Sequence, residues 1–218
     1  MYLNRKISRL FNLLMVIIIV SFSLGMIMYS DSFSFWNSPF SDLGITVAPN
    51  GKSNIISLII FAAGMILTGI TFLRIAMEFK SDKEIIRSEL KASLSTLGGI
   101  GCFVFTFPHN INDNVHMIGA ACFVAALWSI GTILLIETRK TISKNLNILL
   151  QLVLQITVIG YAICYFADLP IKNIAQKFAI MGLIISVKGI TNMSLLQKYN
   201  QLLNFEQINQ TNPSLRGI

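Results

Sequence analysis

Charge is what this sequence has least of. Asp, Glu, Lys and Arg make up 12% of its 218 residues, where a water-soluble domain approaches a quarter. That excludes an ordinary soluble fold. Histidine is scarcer still, with two residues in total, so any site that needs three imidazoles is excluded. The three cysteines, Cys102, Cys122 and Cys164, form no C-x-x-C pair and have no second ligand at metal spacing. They read as thiols buried in helices and carry no information on redox compartment. The two halves of the chain show no self-similarity, so the inverted repeats that mark many transporters are missing.

What is abundant is apolar. A hydrophobic share of 54% and a mean hydropathy of +0.67 make lipid the expected solvent of the outer surface. Seventeen Lys and Arg against ten Asp and Glu give a net charge of +7. Gathered on one face, that excess would suit nucleic acid. It sits instead in the gaps between apolar runs, which is the membrane pattern, and no nucleic-acid partner is expected.

Six runs are candidates to cross a bilayer, at about 11–29, 54–73, 92–107, 116–136, 147–167 and 177–196. The first follows a basic start (Arg5, Lys6, Arg9) and continues past Ser21-Phe22-Ser23, a passable signal-peptide cleavage site, so a retained helix is expected. The second and third are joined by Arg74 to Lys91, whose mixed charges read as an exposed helical connector. The fold class is thus an all-α integral membrane protein, a six-transmembrane-helix bundle over 1–198. The Asn- and Gln-rich remainder, 199–218, reads as a polar cytoplasmic tail without regular structure. Small residues four apart, Ser95 and Gly99, Gly98 and Cys102, Ala121 and Ala125, are expected to line the contact of the third and fourth spans. On this topology thirteen basic residues fall on the side of the N-terminus and three on the other. The positive-inside bias then puts both termini in the cytoplasm, most simply at the cell membrane.

The chain is organised around Leu97 to Leu127, two apolar runs separated by a polar insert, Pro108 to His116, that holds both histidines. The simplest reading is two spanning helices and a short hairpin. Asp42, His109, Asp113, His116 and Asp168 all fall on the extracytoplasmic side and form a candidate polar pocket. His109, Asp113 and His116 lie four and then three apart, so on a helix they would share a face, and imidazole with carboxylate can hold zinc. Pro108 and the four Asn or Asp residues between the histidines oppose a regular helix there, and no metal or other cofactor is expected. The alternative is structural: His116 caps and anchors the fourth helix while Asp42 and Asp113 bond loop backbone.

Within the spans, Gln151 and Gln155, one turn apart, are expected to face protein. Lys188 and Asn192 lie inside the last span. An ammonium there costs about 2.5–3.5 kcal/mol on insertion scales, so Lys188 either snorkels to the cytoplasmic surface or meets Gln151, Gln155 or Asn192 in the interior. Gly189 beside it and Asn192 one turn on favour the interior contact.

Phe40-Ser41-Asp42-Leu43-Gly44 followed by Pro49, a glycine-rich third span ending in Phe107, and His116-Met117-Ile118-Gly119-Ala120 with Phe123 resemble the damage-regulated autophagy modulator and Frag-type family of six-span proteins. Phe107-Pro108 closing the third span is similar to a bacterial and archaeal six-span family of unknown function. Ala48-Pro49-Asn50 lacks the second proline and acidic residue usual in the first family. The resemblance implies a six-helix membrane bundle and transfers no catalytic mechanism.

Three functions follow: a non-enzymatic protein that binds membrane lipid or assists other membrane proteins through its polar mouth, a lipid-modifying enzyme using the His/Asp cluster, or a small-solute transporter using Lys188 and the glutamines. The first has no catalytic set to explain. The topology is directly testable. Reporter fusions after Lys144 and at Ile218 should be cytoplasmic, and single cysteines at Asn50 and Asn112 should be labelled from outside; external labelling of the C-terminus would overturn the six-span reading.

Overall fold

The structure, a computed structural model, describes residues 5–140 and 142–211, from 193 onward as backbone. Among these residues there are six α-helices, one short 3-10 turn and no strand: α1 (Arg5–Ile27), the turn Phe40–Gly44, α2 (Ile55–Ser81), α3 (Ser88–Phe105), α4 (Asp113–Thr138), α5 (Lys144–Phe166) and α6 (Lys172–Thr211). By length and composition, α1, α2, α4, α5 and the first part of α6 (Lys172–Asn192) can each cross a membrane. Residues such as Ile59, Ile66, Leu149, Ile156, Ile163 and Met181 stand exposed along the helices. An apolar outside on this scale is the surface of a membrane protein.

The helices run alternately up and down and close on themselves. Each packs on the next in sequence, and α6 returns to α1 and α4. One end of the bundle carries the Phe40–Gly44 turn, the α3–α4 turn and the α5–α6 turn, and is called the turn end below. The other carries the N-terminus. A single hydrophobic core runs between them, from Ile7, Phe11 and Phe79 to Phe22, Phe61 and Phe105.

Close approach concentrates on α3. Gly99 meets Gly69 of α2 backbone to backbone, and a Cβ on Gly101 would stand 2.7 Å from the Phe123 nitrogen of α4. A side chain on Gly119 would run into the Phe105 backbone. Ala121 and Ala125, expected in this contact, are exposed; Gly119 and Ala126 take their place, because the buried face of α4 runs through His116, Gly119, Phe123, Ala126, Leu127 and Ile130. Asn147 and Gln155 tie α5 to α4. The Asn147 amide donates to Leu135 O (2.9 Å), and Gln155 accepts from Trp128 Nε1 (2.9 Å) and donates to Thr132 Oγ1 (3.0 Å).

Two expectations are corrected at the end that carries the N-terminus. The segment beyond Tyr199 is helical to Thr211, since no Gly or Pro interrupts the chain between Gly189 and Pro213 and Leu, Gln, Glu and Lys propagate a helix; residues 212–218 lie outside the description. The connector Arg74 to Lys91 is not wholly exposed. Helix α2 continues to Ser81, the chain reverses through Arg87 in the left-handed region (φ 52°), and α3 then points Lys91 inward. Its ammonium is fully buried, 2.5 Å from Glu137 Oε2 of α4 and 2.8 Å from Ile86 O, beside the Phe79 ring.

A buried ion pair is dangerous to break, because removing one partner leaves an uncompensated charge. Glu137→Ala should therefore lower stability by about 3–5 kcal/mol, read as the thermal midpoint in detergent. Lys91→Met combined with Glu137→Leu should be neutral or stabilising, and equal melting of Glu137→Ala and wild type would contradict the buried pair.

Candidate functional site

The 28–54 segment is the longest irregular stretch in the structure, and it is folded down onto the helix ends at the turn end. Asn54, at the start of α2, does most of this. Its side-chain oxygen accepts from Ser30 N (3.1 Å), and its amide reaches Ile45 O (3.2 Å), Leu43 O (3.4 Å) and Asp42 O (3.4 Å). One turn on, Ser57 Oγ lies 3.0 Å from both Gly25 O and Leu43 O. Gly44 ends the 3-10 turn directly over Phe61, where a Cβ would come within 2.7 Å of the ring. This close approach explains the glycine of the Ser-Asp-Leu-Gly motif.

The α3–α4 turn docks on the same segment. Asn110 Nδ2 donates to Thr46 Oγ1 (2.7 Å), and the Thr46 N–H donates to Asn110 Oδ1 (3.1 Å). His109 Nε2 donates to Asp42 Oδ1 at 3.1 Å, and its Nδ1 lies 4.0 Å from Asp113 Oδ1. His116 is buried behind it. Its Nδ1 donates to Phe107 O (2.6 Å), and its ring lies 4.5 Å from Phe105, 5.5 Å from His109 and 6.3 Å from Phe61, centroid to centroid. Its Nε2 is buried with no hydrogen-bond partner. Asp42, His109, Asp113 and His116 are thus neighbours.

Asp168 is not part of that group. It is fully exposed and pairs with Lys172 across the α5–α6 turn (2.5 Å), and this pair holds its carboxyl below the usual carboxylate range, by hydrogen bond first and charge second. The helix-capping role expected of His116 belongs to Asn112, whose side chain accepts from Val115 N (3.2 Å). The Asp42 carboxylate serves His109 rather than loop backbone. Among the described residues, no group of three or more His, Cys, Asp or Glu side chains is set to hold a metal ion.

The start of α6 closes the turn end. Asn173 Nδ2 donates to Asn37 O (2.5 Å), Phe40 N donates to Gln176 Oε1 (2.8 Å), and Lys177 Nζ donates to Ser38 O (2.6 Å) and Asn173 O (3.0 Å). Lys177 is 1% exposed. Its ammonium lies 5.2, 5.4 and 5.9 Å from the centroids of Phe40, Phe35 and Phe33, within cation–π range. Lys188 and Asn192, by contrast, lie on the exposed face. The interior contact favoured for Lys188 is not made, because α6 buries Ala179, Leu183, Val187 and Ile190, and one residue past Val187 turns away by ~100°. Gln155 reaches Gln151 (3.4 Å) but not Lys188.

Sequence reasoning therefore missed Asn54, Ser57, Gln176 and the inward turn of Lys177. The available signal was spacing. Lys177 and Lys188, eleven residues apart, span only about 16 Å of helix, so the two do not sit at opposite faces of a ~30 Å hydrocarbon core and one of them lies within its reach. Comparison of the chain with protein families, with curated proteins and with solved structures gives no match.

Asn54→Ala would leave Ser30 N and several buried carbonyls unpaired, at ~1–3 kcal/mol for each orphaned group. It should therefore cost at least about 2 kcal/mol and open residues 30–53 to limited proteolysis. His109→Ala, at a partly exposed pair, should change stability by less than about 1 kcal/mol. A protease-resistant Asn54→Ala protein would show that Asn54 does not hold the segment.

Proposed function

We propose that this chain is a six-span, non-enzymatic membrane protein of the cell membrane, with both termini cytoplasmic, that binds membrane lipid at its extracytoplasmic end. On this reading α3 is the sixth span and the turn end faces outward. The thirteen-to-three distribution of basic residues supports the orientation, and the motif resemblance to six-span families supports the count.

The observation that carries lipid binding is an apolar groove beside the turn end. The polar residues first suggested as a pocket are used on one another and on loop backbone, Asp42 by His109, Asn110 by Thr46 and His116 by Phe107. An apolar groove of about 140 Å³ lies between α1 and α6, walled by Ile18, Phe22, Met26, Ile180 and Ile184. A groove with that lining suits an acyl chain and excludes a polar solute. Neither histidine is hydrogen-bonded to a hydroxyl or thiol among the described residues, so the nucleophile–base pair that acyl-transfer chemistry uses is missing. The transporter reading loses its pathway residue with Lys188 on the exposed face.

Extraction of the purified, detergent-washed protein should release tightly held lipid in near-stoichiometric amount, quantified by mass spectrometry. The same preparation should not hydrolyse or transfer groups between added phospholipids. A lipid-free protein with measurable turnover would overturn the proposal.

A further inference from the structure

His116 is fully buried in the first turn of α4, yet one of its ring nitrogens has nothing to bond. Nδ1 faces Phe107 O at 2.6 Å; a carbonyl only accepts, so the proton of the neutral ring is on Nδ1. Nε2 is then a bare acceptor, enclosed without a donor. A second proton would turn Nε2 into a donor and the ring into a cation. Phe61 of α2 and Phe105 of α3, at 6.3 and 4.5 Å centroid to centroid, offer that cation neither an acceptor nor an opposite charge. The titratable groups that act on it are His109 of the α3–α4 turn, Asp113 of α4 and Asp42 of the 28–54 segment. The two carboxylates flank His109, 3.1 and 4.0 Å from its ring nitrogens, and neither is in ion-pair range of His116.

The same ring is tied to the fastening of the 28–54 segment. Its bond to Phe107 O fixes the start of the α3–α4 turn. That turn holds the segment at two points, through His109 on Asp42 and through the paired hydrogen bonds of Asn110 with Thr46. A charged His116 gains acceptors only by leaving its enclosure, for water or for the carboxylates that flank His109. Either move shifts the turn that carries both fastenings.

We propose that His116 is an acid-sensitive latch: uptake of one proton by its imidazole releases the 28–54 segment from the turn end of the bundle. The device is independent of what the protein binds and stands apart from the lipid-binding reading. Acid favours the open form. An imidazole in water takes up its proton at about pH 6.5, whereas the closed arrangement has no acceptor for the added N–H and no partner for its charge. The open form therefore binds one proton more. Closure is strongest above about pH 6.5 and weakens below it by up to about tenfold per pH unit. No standing path to the ring is needed, because the proton is taken up as the segment opens.

The test is hydrogen exchange of the full-length protein in nanodiscs, followed by mass spectrometry from about pH 7.5 to about pH 5, the range in which histidine titrates. The readout is the protection of residues 42–48, whose amides include Thr46 N on Asn110 and Ala48 N on Lys52 O, after division by the intrinsic exchange rate at each pH. In wild type, protection should be level above about pH 6.5 and fall below it by up to about tenfold per unit. His116→Gln keeps an amide donor for Phe107 O and does not titrate, so its protection should stay level. His109→Gln leaves His116 in place and should keep the fall. If His116→Gln does not fold, His116→Phe, which keeps a ring beside Phe61 and Phe105, replaces it with the same expectation. Level protection in wild type, a fall that survives in a His116 variant, or a fall that disappears in His109→Gln would each overturn the latch.

Discussion

Backbone groups near a bilayer have few places to find hydrogen bonds, and the structure depends on how the 28–54 segment meets that constraint. Helices satisfy themselves, but a long irregular segment over their ends does not. Here its carbonyls and amides are taken up by side chains from two helices and a turn: Asn54 and Ser57 of the α2 start, Asn110 of the α3–α4 turn, and Asn173, Gln176 and Lys177 of α6. The segment thereby becomes a lid that fastens the ends of α1, α2, α3, α4 and α6 together. The His109–Asp42 contact belongs to this fastening.

The two buried lysines mark the two ends of the same bundle. At the end with the N-terminus, Lys91 and Glu137 cancel across α3 and α4, with Ile86 O as an extra acceptor. The pair joins the two helices that already approach most closely through Gly101 and Gly119. At the turn end, carbonyl dipoles and ring quadrupoles spread the charge of Lys177 without cancelling it. The first arrangement pairs charge with charge; the second holds the ammonium by carbonyls and rings, beside the apolar groove between α1 and α6.

Much of the architecture was legible in the sequence. Apolar runs of spanning length announced the helices, and Pro108 with its polar neighbours announced the α3–α4 turn. The hairpin reading put His109, Asp113 and His116 together, and the Ser-Asp-Leu-Gly segment could be placed on the same side, so their proximity to Asp42 follows from topology. Asp168 shared the side without sharing the site, since the α5–α6 turn carries it outward to Lys172. The charged residues were the hardest to place. Lys91 and Glu137 stood at the ends of apolar runs, where charge ordinarily meets water, and only the inward turn after Arg87 buries Lys91. Lys188 stood in the middle of a run and faces outward.

By itself the sequence determined that this chain makes long apolar helices with a lipid-type surface and where those helices reverse, because length, hydropathy and turn residues act locally along the chain. Only the tertiary structure decided which face of each helix is buried. Helices α4 and α6 carry apolar residues all round, so no stripe in the sequence marks an inner side. Each residue advances the direction by ~100°, and the neighbours it then meets are set by the close approach of Gly99 to Gly69 and of Gly119 to Phe105, and by the clamp of α6 on the 28–54 segment. That geometry turned Lys177 inward and Lys188 outward.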